Sequence, residues 1–241
     1  MKKYILLTFI IISLLVISGS NKDNNYIIIK GERYRTSLIR LYLPEMNLQD
    51  TDIIPLKYMK NLKLLNLYRN QIKDISILSN LKGLTVLCLE GNQINDISPL
   101  SKLTNLTDLT LGENNITDIA PLGKLTNLTF LLLHDNQIND ISPLANLTNL
   151  NSVTLSNNQI IDIMPIANLI NLTELWLSNN KITDITPLSE LKKLKELNLR
   201  GNEIKDISIL SNLNDLDTLW IDIKLIEDCS PINHVPNVYS K

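Results

Sequence analysis

Residues 84–105 read LTVLCLEGNQINDISPLSKLTN. Leu87 and Leu89 alternate with Cys88, which predicts a short strand with one buried face. Leu84, Ile94, Ile97, Leu100 and Leu103 join them as inward-pointing side chains of one turn of a coil. Asn92 stands where the chain leaves the strand. Its amide can donate to and accept from backbone groups that the turn leaves unpaired. Downstream, Ser98-Pro99 puts a hydroxyl at the expected N-cap and a proline at the first helical position, which favours a short helical or 3₁₀ turn on the outer face. Ser142-Pro143 repeats this pair, and Ser76, Thr186, Ser208 and Ser230 recur at the same cap position.

The pattern repeats every 22 residues in the frame L-x-L-x-x-N-x-I-x-D-I, with the asparagine at Asn70, Asn92, Asn114, Asn136, Asn158, Asn180 and Asn202. A fixed period of this length marks a leucine-rich repeat solenoid, in which each coil buries its apolar face only against its neighbours. The expected fold is an α/β repeat solenoid with a parallel sheet on one side, 3₁₀ or helical turns on the other, and the asparagines stacked as a ladder. Leu38, Leu41 and Leu43 match Leu62, Leu65 and Leu67 at a spacing of 24, with Met46 at the ladder position. Leu219 and Ile221 carry the pattern onward, with Lys224 at the ladder position, as a solvated end coil tolerates. This gives about nine coils over residues 36–241, degenerate at both ends. Residues 21–35 are a linker and a cap, because YIIIKGERY over 26–34 alternates around Lys30-Gly31 and predicts a β-hairpin covering the first open edge.

Residues 1–20 have a different character. Lys2 and Lys3 precede an uncharged apolar run from Ile5 to Ile17, followed by Ser18-Gly19-Ser20. This is the layout of an export signal, with cleavage expected before Asn21 and a run short for a membrane anchor. It is similar to a bacterial lipoprotein signal, but Ser20 stands where the lipidated cysteine would be, so thioether lipidation has no thiol to use. The expected location is the medium or the cell surface, with membrane contact only through this segment if it stays uncleaved. Without residues 1–20 the chain has 21 basic and 25 acidic side chains, a net charge of −4, and no basic face suited to nucleic acid. The lysine clusters Lys57, Lys60 and Lys63, and Lys192, Lys193 and Lys195, are expected on solvated outer faces.

Cys88 and Cys229 lie six coils apart, about 30 Å at strand spacing, which excludes an intramolecular disulfide. Cys229 replaces Ile207 in the repeat and is expected to be buried. Cys88 faces outward from the inner strand surface, where an intermolecular disulfide is conceivable in an oxidising medium. Cys88, His134 and Asp135 share that face, but two strand steps of about 9.5 Å separate the thiol from the imidazole, beyond the reach of a nucleophile and its base. No enzyme, cofactor or small-molecule substrate is expected. The periodic Asp74, Asp96, Asp118, Asp140, Asp162, Asp184 and Asp206 lack the dense oxygen ligands of a calcium loop, so turn and cap hydrogen bonds are expected from them and no metal. Sequons at Asn105, Asn115, Asn127, Asn146 and Asn171 are mostly by-products of the recurring LTNLT phrase.

The phrases LTNLTDLTLGENNITDIAPLGK (103–124) and LTNLTFLLLHDNQINDISPLAN (125–146) resemble the repeats of bacterial internalin-type leucine-rich repeat proteins, over roughly residues 36–232. The resemblance implies a curved horseshoe whose concave strand face recognises a partner protein, often one on a host cell. Positions alternating with the inward leucines carry that implication here: Tyr42, Tyr68, Arg69, Glu90, Phe130, Leu132, His134, Glu174, Trp176, Arg200 and Trp220. Both tryptophans and one of the two phenylalanines are among them, in a chain that is only 5% aromatic. Aromatic and arginine side chains dominate interface hot spots, so a protein or peptide ligand on this face is expected, with Phe130, Leu132 and Trp176 as its sharpest cluster. The alternatives are an envelope scaffold held by an uncleaved N-terminal segment and an intracellular regulatory subunit.

Overall fold

The computed structural model describes residues 25–240. The expected export segment, residues 1–20, lies outside them. Among the described residues no helix is long and apolar enough to cross a membrane.

Strands β1 (Tyr26–Ile29) and β2 (Glu32–Arg35) form the predicted antiparallel hairpin. Lys30 and Gly31 turn it at φ 48° and 85°, the left-handed pair that a two-residue hairpin of matching twist requires. It caps the stack without joining the main sheet. The hairpin is a separate two-stranded sheet, while β3 (Arg40–Tyr42), first in the main sheet, pairs with β4 (Leu64–Asn66). What the hairpin covers is the end of the apolar core, because Ile27 and Ile29 are buried there and Ile28 faces out. Lys30 Nζ fixes it to Asp52 Oδ2 at 3.0 Å.

Eight further strands follow in strict parallel register: β5 (Val86–Cys88), β6 (Asp108–Thr110), β7 (Phe130–Leu132), β8 (Ser152–Thr154), β9 (Glu174–Trp176), β10 (Glu196–Asn198), β11 (Thr218–Trp220) and β12 (Asn237–Tyr239). Each is three residues long, and from β4 to β11 the middle side chain points into the core. Leu65, Leu87, Leu109, Leu131, Val153, Leu175, Leu197 and Leu219 all have 0% exposure. Opposite the sheet, 3₁₀ turns such as Ser98–Lys102 and Ser142–Asn146 each bury one leucine, here Leu100 and Leu144. The ten-stranded sheet is one strand longer than the nine coils expected. β12 pairs with β11 and places Val238 beside Leu219, yet Val238 stays 38% exposed because nothing stacks beyond it. At the other end Leu38, matched by spacing to the fully buried Leu62, is 36% exposed for want of a preceding coil.

The asparagine ladder forms, and its rungs are backbone. Asn136 Oδ1 accepts from Ile116 N at 3.0 Å in the preceding coil, while Nδ2 donates to Leu111 O at 3.0 Å and to Leu133 O at 3.1 Å. One side chain thus satisfies groups of two coils that water cannot reach. At the N-terminal end Asn70 does the same for Met46 N and Leu48 N.

The cap of the outer turn is not the serine. The turn begins at Ser98, preceded by Ile97, and makes no side-chain cap bond; Asp96 Oδ1 instead accepts from Ser98 N at 2.7 Å. The same bond reaches Ala120 N from Asp118 and Met164 N from Asp162, positions with no hydroxyl at all. The periodic aspartates therefore hold the outer turns, as a carboxylate accepting from the backbone two residues on does in an Asx turn. One further column went unread in the sequence. The residue before each ladder asparagine is left-handed: Arg69, Gly91, Glu113, Asp135, Asn157, Asn179 and Gly201 all have φ between 49° and 70°.

Candidate functional site: the concave strand face

Outward positions of the strands, and the residue two beyond each, line the concave face. Of the residues expected there, Tyr68, Glu90, Phe130, Leu132, His134, Glu174, Trp176, Arg200 and Trp220 are half-buried among their neighbours, and Tyr42 is exposed. Arg69 differs, since it lies in the left-handed turn after β4 at φ 49°. Its guanidinium still returns to the face, 5.1 Å from the Tyr68 ring centroid and 3.8 Å from Glu113 Oε1.

The expected grouping of Phe130, Leu132 and Trp176 is redrawn. Phe130 and Leu132 flank the buried Leu131 on β7, and β8 with Ser152 and Thr154 separates them from Trp176. Trp176 meets Trp220 instead, with ring centroids 4.9 Å apart at 33°, although β10 runs between their strands. Asn198 allows this by lying low, buried, with its Oδ1 accepting from Arg200 N at 3.2 Å. Tyr239 of β12 continues the row, stacked on Trp220 at 5.5 Å and 17°. Sequence reading missed Tyr239, since Asn237-Val238-Tyr239 has no ladder asparagine after it to reveal the strand.

Carboxylates run beside this aromatic row. Burial raises the Glu196 carboxyl above its ordinary range, and the negative charges of Glu174 and Asp217 raise it further. Glu174 Oε2 accepts from Ser152 Oγ at 2.9 Å. At the other end of the sheet, burial also raises Glu90, opposed by His134 and reinforced by Glu113. His134 turns toward Glu90 (Nε2 to Oε1, 3.9 Å) rather than toward Cys88. Burial pushes the Cys88 thiol up, away from the reactive thiolate, which disfavours the intermolecular disulfide considered for it. Cys229 is only part-buried against the core, less than the full burial expected from its place in the repeat.

Among the described residues, four buried side-chain polar atoms have no hydrogen-bond partner: Thr110 Oγ1, His134 Nδ1, Arg200 Nε and Asp222 Oδ1. All four belong to concave positions. The core, by contrast, pairs its ladder amides completely. Unpaired buried polar groups are expensive in a folded protein, and native structures carry few of them.

Comparison with known proteins agrees with this architecture. The family of paired leucine-rich repeats matches in overlapping windows from residues 60–102 to 192–234. Internalin C2 of Listeria monocytogenes is 38% identical, with a TM-score of 0.75 over 79% of this chain and 85% of that one. Internalin F of the same species is 30% identical over 87% of this chain and 89% of its own, with a TM-score of 0.38. A leucine-rich repeat protein of Leptospira interrogans is 28% identical with a TM-score of 0.71, over 78% of this chain and 50% of that one. No curated protein sequence matches. On the repeat match and the extended identity to internalin C2, this chain belongs to the internalin-type leucine-rich repeat proteins, a curved solenoid built for protein–protein interaction.

Proposed function

We propose that the protein is an exported binding module that docks a partner protein or peptide on its concave face, through Phe130 and Leu132 at the centre and Trp176, Trp220 and Tyr239 toward the C-terminal end. The observation that carries this reading is the aromatic row. Two tryptophans and a tyrosine from β9, β11 and β12 meet on the side away from the leucine core. Rigid aromatic side chains bury large area with few rotors, which is the usual make-up of interface anchors. The carboxylates of Glu174, Glu196 and Asp217 beside them favour a partner that brings positive charge.

Partner capture from the medium or from contacted cells tests the docking face. Replacing Phe130 and Trp176 with Ala is expected to weaken binding by about 2 kcal/mol or more, while Lys192→Ala on the outer side changes it by less than about 0.5 kcal/mol. Equal losses from both faces would move the site elsewhere. Export rests on the apolar run after Lys2 and Lys3. A reporter fused to residues 1–25 should leave the cytoplasm, cleaved after Ser20 and unlipidated; full-length reporter retained in the membrane fraction would favour an anchored scaffold.

A further inference from the structure

The geometry points to a divalent transition-metal site of the zinc class on the N-terminal half of the concave face, built from Glu90, Glu113 and His134. One ligand atom from each lies within 4.8 Å of the other two, contributed by three consecutive coils. Ligands of a tetrahedral zinc ion, with bonds of about 2.0–2.2 Å, stand about 3.4 Å apart. Small side-chain rotations therefore close the set, leaving one position for water or for a donor from a bound partner.

Two features show that these groups are available. The His134 ring makes no hydrogen bond: Nδ1 is buried without a partner, and Nε2 stands 3.9 Å from Glu90 Oε1, beyond hydrogen-bond range. A half-buried carboxylate facing an unbonded imidazole is poorly served by the protein alone, and a cation satisfies both. The second feature is Gly112, which separates Glu90 from His134 in the same row of the face. A Cβ there would lie 2.3–2.7 Å from atoms of the His134 ring. The missing side chain is what lets the imidazole lie back across one coil to reach Glu90. Gly91 plays the same part for Arg69, whose guanidinium crosses to Glu113 and competes with a metal for that carboxylate. Imidazole with two carboxylates suits zinc and its neighbours in the first transition row, whereas calcium requires six to eight oxygen ligands.

Titration of untagged protein with zinc chloride alone, followed by calorimetry and by the visible spectrum of the cobalt-substituted form, tests the site without a partner and independently of the docking reading. Wild type is expected to bind a single ion per chain. His134→Ala and Glu90→Gln should each weaken binding by about tenfold or more. Gly112→Ala keeps every ligand but drives the ring away, and should weaken binding comparably. Arg69→Ala should tighten it by freeing Glu113, while the exposed Asp162→Asn should bind as wild type. Circular dichroism melts establish that each variant is folded. No binding by wild type, undiminished binding by folded His134→Ala or Gly112→Ala, or no gain from Arg69→Ala would overturn the three-ligand site.

Discussion

At the inward position of successive strands from β4 to β11 the chain carries Leu65, Leu87, Leu109, Leu131, Val153, Leu175, Leu197 and Leu219. One residue further along, facing out, it carries Asn66, Cys88, Thr110, Leu132, Thr154, Trp176, Asn198 and Trp220. The two columns share one backbone and one register, and differ only in what each side chain meets. An inward side chain meets its copy in the coil above and below, so any change in volume is felt by two neighbours, and close packing admits little besides leucine. An outward side chain meets solvent or a partner and is free to change from coil to coil. Monotony therefore marks folding duty in this molecule, and variety marks surface available for recognition.

That contrast can be broken first at the ladder. Asn136→Ala removes a side chain with 9% exposure, leaves the Ile116 N–H unpaired and takes one of two asparagine donors from each of the Leu111 and Leu133 carbonyls. Denaturant unfolding should show a loss of about 1–3 kcal/mol, against less than about 0.5 kcal/mol for Asn139→Ala, whose side chain is exposed. Similar values for the two would mean that the ladder is not structural. The left-handed column gives a finer test. Asn157 has φ 56°, so it is not a neutral surface position even though its side chain is exposed. Calorimetric melts should find Asn157→Gly more stable than Asn157→Ala by about 1 kcal/mol, and equality would argue against the left-handed turn.

Acid titration should yield the smallest effect. The Asp206 and Asp228 carboxyls are held below their ordinary range, chiefly by the backbone N–H groups of Ser208 and Ser230. A depressed folded-state value means stability that is present above the unfolded-state pKa of about 3.9 and is lost as pH falls through the folded value. Wild type should therefore lose stability from pH 5 toward pH 3, and the Asp206→Asn, Asp228→Asn double variant should lose less over that interval. An identical slope would mean that these caps do not titrate with folding.

Much of this was legible in the sequence because repetition averages out local ambiguity. The 22-residue period located β3 to β11, the buried column and the ladder, and alternation around Lys30-Gly31 located the hairpin cap. Serine and aspartate both read as caps because Ser98 and Asp96 recur together, and only Ala120 and Met164 assign the bond to the aspartate. The left-handed column did leave a signal in Gly91, Asp135, Asn157, Asn179 and Gly201, residue types that tolerate positive φ. Contacts that skip a coil left none. Whether Trp176 meets Trp220 depends on how low Asn198 lies, and whether His134 reaches Glu90 depends on the side chain that Gly112 lacks. Period and alternation place a residue on a face, but they do not say which way a long side chain leans.

Three consecutive residues of β7 offer the most direct test, because Phe130 and Leu132 face out while Leu131 between them has 0% exposure. The double variant Phe130→Ser, Leu132→Thr copies Ser152 and Thr154, which the adjacent β8 already carries at the same register. Side-by-side denaturant unfolding should show this outward pair changing stability by no more than about 1 kcal/mol, while Leu131→Ala loses about 2–5 kcal/mol. If the outward swap destabilises the protein as much as the inward truncation does, the concave side chains are part of the core and the division between folding face and binding face is wrong.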